Sequence, residues 1–266
     1  MEKQQRAVLR VRDADGILLV TLNRPEKKNA FDAAVWDGLR EALDVARNDE
    51  ETAVVVVTGA GGDFSAGQDL RAGFESALGS GGDGSSGGYA GCMAALLALD
   101  KPLLAAVRGV GIGIGATFLL HCDVVYVGES ARLRFPFVSM GMVPEAASTY
   151  LLPAALGPAR AAELFYTAEW IDAERAVALG LAARCLPDAD LLDATLETAR
   201  QIARQPLSAL RATKRVLRAG HEAGVRAALD AEQAALRSQI GSPENVEAVR
   251  AFLEKRAPDF RKLRAR

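Results

Sequence analysis

The sequence predicts an α/β fold in which strands and helices alternate before the chain becomes mostly helical. Continuous apolar runs at residues 53–58 and 102–107 are typical of strands that are covered on both faces. After Pro144 the apolar residues follow the period of amphipathic helices. We therefore predict an α/β core over residues 1–195 and a helical C-terminal region over residues 196–266.

The first elements follow from the spacing of apolar residues. Residues 7–22 alternate between apolar and polar side chains and break at residues 13–16, which predicts a hairpin of two strands. From Asp32 onward the spacing is helical, and an aspartate suits the position just before a helix. The predicted buried face of this helix consists of Ala33, Val35, Trp36, Leu39, Leu43 and Ala46.

The middle of the chain contains one low-complexity stretch, residues 79–91. We interpret it as a flexible surface loop, because the alternation of strands and helices resumes after it. A helix is predicted over residues 89–99, and a glycine-rich turn, a helix and a strand over residues 109–127. Proline and glycine residues between 206 and 243 then divide the C-terminal helices, whose alanine- and leucine-rich face is expected to pack against a partner subunit.

Composition and charge argue against several classes of protein. Of the 266 residues, 50% are hydrophobic and 25% are charged, and the net charge of -2 argues against a nucleic-acid-binding protein. No apolar run approaches the roughly 18 residues of a membrane span, and the charged start lacks the apolar core of a signal peptide. Three separated cysteines and two histidines favour neither disulfides nor a metal site. We expect a cytoplasmic protein without a metal.

Two glycine-rich loops each follow a predicted buried strand. The first, FSAGQDL at residues 64–70, has small residues that let a ligand approach main-chain N–H groups, although a tight turn needs them equally. The second, GVGIGIGA at residues 109–116, opens a helix, where free N–H donors favour an anion. Together the loops predict paired main-chain donors that meet at one carbonyl oxygen.

The second loop permits two other interpretations. Gly111, Gly113 and Ala116 fit the G-x-G-x-x-A pattern of dinucleotide-binding folds. The pattern lies in mid-chain, however, and Ile112 and Ile114 form an apolar wall that suits an acyl chain better than a pyrophosphate. Its glycines would also serve close packing of a helix on a strand.

Several segments resemble the enoyl-CoA hydratase/isomerase (crotonase) superfamily in their order and spacing. They are FSAGQDL, AAVRGVGIGIGATFLLHCDVVYV from residue 105 and ARLRFPFVSMGMVPEAASTYLLP from residue 131. NRPEKKNAF near the start and FLEKRAPDF near the end are similar to the same family, so the resemblance covers about residues 7–260. It implies a crotonase-like spiral of ββα turns with a C-terminal helical trimerisation region, forming a homotrimer or a dimer of trimers. It also implies a coenzyme A thioester as the substrate and no separate cofactor.

The resemblance assigns roles to individual residues. Two main-chain N–H groups bind the thioester oxygen in this family, and they correspond to Ala66 and Ile114. The adenine and pantetheine portion of coenzyme A is expected along Lys28, Ala30 and the loop that leads to Ala66. The residues implied in substrate binding are Lys28, Ala30, Asp63, Phe64, Ser65, Gly113, Phe137 and Lys255.

The resemblance also implies the chemistry. Hydratases of the family use two glutamates, and the corresponding positions hold Thr117 and Phe137. Glu145 follows in a pattern similar to the single-glutamate Δ3,Δ2-enoyl-CoA isomerases. One carboxylate suffices for that reaction, because it takes a proton from C2 of a 3-enoyl thioester and returns it at C4. The favoured activity is therefore a shift of the double bond from the 3- to the 2-position.

Glu145 also has a purely structural interpretation. A glutamate after a proline is common in the first turn of a helix, where the dipole favours an acid. As a catalytic base it must ionise. Its apolar neighbours Met140, Met142 and Val143 would raise its pKa, whereas a helix start would lower it, and the sequence leaves the balance open.

Three alternative functions remain open at this point. An enoyl-CoA hydratase or a ring-type acyl-CoA isomerase would use the same fold. A nicotinamide enzyme would use the second glycine loop and bind NADH. A non-catalytic protein that binds coenzyme A thioesters or serves assembly would keep the fold without turnover.

Overall fold

The computed structural model describes residues 6–70 and 87–263, and these residues form two compact units. The units comprise the described parts of Met1–Leu133 with Ile171–Gly220, and of Arg134–Trp170 with His221–Arg266. The predicted boundary between residues 195 and 196 lies inside a helix of the first unit. The units therefore divide the chain differently, and the predicted separation of a core that binds the substrate from a helical region stays a prediction.

The first unit is organised around two sheets. The larger has six strands in the order β1-β2-β3-β4-β6-β9, and the smaller has three in the order β5-β7-β8. The strands are β1 Val8–Arg12, β2 Ile17–Leu22, β3 Val54–Gly59, β4 Leu103–Val107, β5 Val110–Ile112, β6 Val124–Gly128, β7 Arg132–Arg134, β8 Ile171–Asp172 and β9 Arg184–Leu186.

The strand pairing confirms the predicted hairpin and the two predicted buried strands. β1 and β2 pair antiparallel across the turn at residues 13–16, whereas β2, β3, β4, β6 and β9 pair in parallel. β3 and β4 are buried along their whole length, as their continuous apolar sequences require. From β4 to β7 the chain alternates between the two sheets, which is the arrangement expected of a ββα spiral.

Helices alternate with the strands of the first unit and make up most of the second unit. In the described residues they are α1 Ala33–Asn48, α2 Gly87–Ala98, α3 Ile114–Thr117, α4 Ser148–Leu156, α5 Pro158–Thr167, α6 Ala173–Leu179, α7 Leu191–Ala203, α8 Leu207–Ala219, α9 Glu222–Gln239 and α10 Pro243–Leu253. No helix in this part of the chain is long and apolar enough to cross a membrane.

The start of α1 follows a local sequence signal. The Asp32 carboxylate accepts a hydrogen bond from the N–H of Val35 at 3.0 Å, so it caps α1 as predicted. The loop interpretation of residues 79–91 is wrong in part, because α2 already begins at Gly87. Residues 79–86 lie outside the described residues.

Packing of α7 on the larger sheet forms one core of the first unit. Ala199 of α7 lies in a buried cluster with Ile17 of β2, Val56 of β3 and Leu104 of β4. Burial of apolar side chains is the main favourable contribution to folding, at about 25 cal/mol for each Å² removed from water. This packing fixes the sheet whose loops carry the site residues of the first unit.

Two buried lysines, Lys101 and Lys214, link the end of α1, the start of β4 and helix α8 of the first unit. Lys101 is fully buried, and its Nζ donates to the carbonyl oxygens of Ala46 at 2.7 Å and Asp49 at 2.6 Å, at the end of α1. Lys214 of α8 donates to the carbonyl oxygen of Lys101 at 2.6 Å and to Asp123 Oδ2 at 2.7 Å. Buried ammonium groups are tolerated only when they are hydrogen-bonded in this way.

We predict that Lys101→Met destabilises the protein by about 2–4 kcal/mol, because two carbonyl oxygens lose their buried donor. Chemical denaturation measured by circular dichroism would give the change in the free energy of unfolding. The exposed Lys27→Met is the control and should alter stability by less than about 0.5 kcal/mol. Equal effects of the two substitutions would contradict the structural role of Lys101.

Candidate active site

The two glycine-rich loops of the first unit lie side by side. Ser65 and Gly111 form a parallel β-bridge. The N–H of Ser65 donates to Val110 O at 2.9 Å, and the N–H of Ile112 donates to Ser65 O at 2.9 Å. The structure therefore brings together two segments that the sequence singled out separately.

Glycine is required where these loops touch. A β-carbon at Gly67, whose φ is 87°, would lie 2.6 Å from Ile112 O and 3.8 Å from Gly113 Cα. A β-carbon at Gly115 would lie 2.6 Å from Ser65 O. Heavier side chains at Gly67 or Gly115 would push the loops apart, so the glycines serve the close approach of two backbones.

Asn29 joins the first loop to the segment before α1. Its side chain is fully buried, and Nδ2 donates to Ala60 O at 2.9 Å and to Asp63 O at 2.7 Å. Its Oδ1 accepts from the N–H of Arg24 at 2.9 Å. The sequence interpretation missed this residue, although NRPEKKNAF contains it, because its partners become visible only in the fold.

The main-chain amides of the first loop are not equally available. The N–H of Ala66 donates to the carbonyl oxygen of Lys28 at 2.8 Å, which argues against the assignment of Ala66 to the thioester oxygen. Among the described residues, the N–H of Gln68 has no acceptor, and the same holds for Ile114 at the start of α3. The sequence interpretation missed Gln68, because the contact between Lys28 and Ala66 joins distant parts of the chain.

The other residues implied in substrate binding in this unit surround the same loops. The exposed Lys28 forms an ion pair with Asp63 at 3.2 Å, and Asp63 Oδ1 accepts from the N–H of Val110 at 2.9 Å. Ala30 and Phe64 are buried beneath them. The cluster presents one cation and a narrow strip of main chain to the surface.

Three of the predicted site residues lie in the second unit. Phe137 is buried, and its carbonyl oxygen accepts from the N–H of Met142 at 2.9 Å. Lys255 is exposed beyond the end of α10. Glu145 lies on an irregular segment between Gly141 and α4.

Glu145 is not part of a helix. Helix α4 begins at Ser148, after Ala146 and Ala147, which have φ angles of 61° and 56°. The interpretation of Glu145 as a first-turn residue is therefore wrong. Two consecutive non-glycine residues in the left-handed region are uncommon and cost about 1 kcal/mol or more each, so the surrounding structure must hold them.

The amides that would favour an ionised Glu145 are already used. Glu232 of α9 accepts hydrogen bonds from the N–H of Ala147 at 2.7 Å and the N–H of Thr149 at 2.9 Å. No described residue donates a hydrogen bond to the Glu145 carboxylate. Burial therefore raises the pKa of Glu145 to about 7, and the negative charge of Glu232 contributes to the rise. Of the two opposing effects expected from the sequence, burial prevails.

Comparisons with known proteins show the family to which the chain belongs. A sequence profile of the family described as enoyl-CoA hydratase/isomerase matches residues 12–263. The chain is 35% identical to 2,3-dehydroadipyl-CoA hydratase of Escherichia coli (strain K12), over 92% of this chain and 95% of that one. It is 34% identical to 1,2-epoxyphenylacetyl-CoA isomerase of the same organism, with the same two coverages. A crystal structure of an enoyl-CoA hydratase/isomerase from Pseudoalteromonas atlantica T6c has a TM-score of 0.88 at 35% identity, covering 96% of this chain and 99% of that chain.

These matches span nearly the whole chain and nearly the whole of each relative. They confirm the predicted α/β fold of the crotonase type, while assembly into trimers stays a prediction. The resemblance that began with short glycine-rich segments thus extends over both units. The chain belongs to the enoyl-CoA hydratase/isomerase family and is an acyl-CoA enzyme.

Proposed function

We propose that this enzyme shifts the double bond of a 3-enoyl-CoA to the 2-position, with Glu145 as its acid–base group. The observation that carries the proposal is the state of Glu145, a carboxylate that accepts no hydrogen bond from the described residues and whose pKa is raised to about 7. A base is most effective when its pKa lies near the working pH. The positions at which hydratases of the family carry their glutamates hold Thr117 and Phe137.

The proposed reaction needs one carboxylate and no external reagent. The Glu145 carboxylate takes a proton from C2 of the 3-enoyl thioester, and the electron pair moves onto the thioester oxygen to give a dienolate. The carboxylic acid then returns the proton to C4, and the double bond forms between C2 and C3. Atoms and charge balance, because the proton that leaves C2 is the one that enters C4.

We further propose that the dienolate oxygen is stabilised by main-chain donors of the two glycine loops. The N–H groups of Gln68 and Ile114 are the candidates, because each lies beside a point of contact between the loops and has no acceptor among the described residues. A single donor of this kind is worth about 3 kcal/mol to a transition state. Lys28 and Asp63 would then lie along the coenzyme A portion, and Lys255 would bind its phosphates.

Hydration of a 2-enoyl-CoA is the second candidate, favoured by the 35% identity to an enzyme named as a hydratase. That reaction needs one group to orient water and one to transfer a proton. Thr117 is fully buried and its Oγ1 has no hydrogen-bond partner among the described residues. A hydroxyl group is a poor substitute for a carboxylate in either role, so isomerisation is the better match.

We predict that Glu145→Gln lowers kcat for the conversion of 3-enoyl-CoA to 2-enoyl-CoA by about 10²–10⁴-fold, because the amide neither takes nor returns the proton. Ultraviolet absorbance of the conjugated thioester follows the reaction. The KM should change little, since the carboxylate does not hold the coenzyme A portion.

Glu163→Gln is the matched control, because Glu163 is an exposed glutamate of α5 in the same unit. It should keep wild-type activity. Undiminished activity of Glu145→Gln would refute the proposal. An unmutated enzyme that hydrates 2-enoyl thioesters faster than it isomerises 3-enoyl thioesters would favour the hydratase instead.

We predict that kcat/KM for isomerisation rises with pH and reaches half of its maximum near pH 7. Glu145 acts as a base only when it is ionised, and its pKa is raised from 4.5 to about 7, so the active form is lost as the pH falls below that value. Initial rates between pH 3.5 and pH 9 would test this. A half-maximum near pH 4.5 would show that Glu145 is not desolvated, or that another group is the base.

We predict that Gln68→Pro lowers kcat by about 10²–10³-fold, because proline has no N–H to donate to the dienolate oxygen. Gln68→Ala keeps the main-chain donor and removes only the side chain, which accepts a hydrogen bond from Trp36 Nε1 at 3.1 Å. It should therefore retain most of the activity. Similar losses in both variants, with matched melting temperatures, would exclude the amide of Gln68 as the donor.

A further inference from the structure

The segment that carries Glu145 is held at both ends by the last two helices of its unit. At its start, Asn245 of α10 donates from Nδ2 to the carbonyl oxygen of Met140 at 2.9 Å. Gly141 has a φ of 63°, and a β-carbon there would lie 2.7 Å from the main-chain nitrogen of Asn245. Helix α10 thus packs directly against the residue at which the segment begins.

At the other end the segment is held by hydrogen bonds to a carboxylate. Glu232 of α9 is only 4% exposed, and both of its oxygens are used. Oε2 accepts from the N–H of Ala147 at 2.7 Å, while Oε1 accepts from the N–H of Thr149 at 2.9 Å and from its hydroxyl group at 2.7 Å. A buried carboxylate is costly unless it is hydrogen-bonded, and bonds to a charged acceptor are worth about 1.5–3 kcal/mol each.

The hydrogen bond from the Ala147 N–H to Glu232 lies in the strained part of the segment. Ala146 and Ala147 are fully buried in left-handed conformations, directly after Glu145. A hydrogen bond from the Ala147 N–H fixes the peptide plane within this turn, and so fixes the path of the main chain two residues after Glu145. Packing adds to this, because the Tyr150 ring lies against Gly224 of α9, where a β-carbon would be 2.3 Å away.

We propose that Glu232 is the positioning residue for Glu145. Its carboxylate holds the left-handed turn at Ala146 and Ala147, and thereby fixes the direction in which the Glu145 side chain points. Because it also accepts from the N–H groups of Ala147 and Thr149 at the start of α4, those donors are not available to the Glu145 carboxylate. This inference rests on the proposed function of Glu145 as the acid–base group.

Two consequences separate this role from a merely structural one. Loss of the turn should lower kcat more than it alters KM, because binding of the coenzyme A portion of the substrate does not depend on the turn. Loss of the negative charge should also lower the pKa of Glu145, since Glu232 is the charged group that raises it. A residue that only stabilised the fold would change neither the ratio of kcat to KM nor the pH profile.

The test is Glu232→Gln in the full chain, assayed on a 3-enoyl-CoA across the pH range. One amide oxygen replaces two carboxylate oxygens, and the new NH₂ group faces a donor. We expect kcat to fall 10- to 100-fold with KM within threefold, and the half-maximum of kcat/KM to move to lower pH. Glu222→Gln, an exposed glutamate at the start of the same helix, is the control and should match the wild type.

A second pair of variants covers the case in which Glu232→Gln does not fold. Thr149→Val removes one of the three donors to Glu232 and should lower kcat severalfold, while Thr149→Ser keeps the hydroxyl group and should restore it. Wild-type kcat and pH profile in a folded Glu232→Gln would overturn the inference, as would wild-type kcat in Thr149→Val. A folded Glu232→Gln with reduced kcat but an unchanged pH profile would also overturn it.

The activity of Glu145→Gln distinguishes failure of the proposed function from failure of the positioning role of Glu232. If that variant is fully active, the proposed function fails. If it is inactive while Glu232→Gln behaves as the wild type, the proposed function stands and only the positioning role of Glu232 fails.

Discussion

Direct contact between two stretches of main chain is the constraint on which the site in the first unit depends. The bridge between Ser65 and Gly111 joins the loop after β3 to the loop after β4, and it exists only because glycine stands at the points of closest approach. Parallel strands place the loops at one edge of the sheet. Asn29 then fastens the segment before α1 to the first loop. The result is a rigid strip of main chain whose free N–H groups are set by the fold.

The pKa of Glu145 in the second unit depends on which carboxylate accepts from the few N–H donors at the start of α4. A helix start near Glu145 would ordinarily favour the ionised carboxylate. Here those N–H groups donate to Glu232 instead. Burial and the negative charge of Glu232 both raise the pKa of Glu145. Glu232 accepts three hydrogen bonds, whereas Glu145 accepts none from the residues that the structure describes, which is the state that we propose for a proton-transfer group. Their difference comes from hydrogen bonding, because the two side chains are chemically identical.

Much of the fold could be predicted from the sequence, because local patterns determine it. The hairpin of β1 and β2, the buried strands β3 and β4, and the capped start of α1 all follow from the spacing of apolar residues and one aspartate. Strands β8 and β9 have two and three residues, too few to show a period, and they were missed. Helix α2 begins within a glycine-rich stretch where composition suggested a loop.

The site could be predicted only in part, because its decisive contacts join distant residues. The sequence identified both glycine loops and Glu145 but could not show that Lys28 occupies the amide of Ala66. It gave no sign of Glu232, because that residue lies in an ordinary amphipathic helix. Nor could the sequence show whether burial or a helix start would determine the pKa of Glu145. Those answers depend on which donors the folded chain has already used.

The dependence of the Glu145 segment on α9 has a consequence for the newly made polypeptide. The residue that secures this segment is separated from it by 85 positions, and it leaves the ribosome only after both glycine loops have been synthesised. A nascent or truncated chain would therefore contain the loops and Glu145 without the group that orders the turn. If Glu232 acts as we infer, chemistry begins only after α9 has been synthesised and its carboxylate has reached the turn at Ala146 and Ala147.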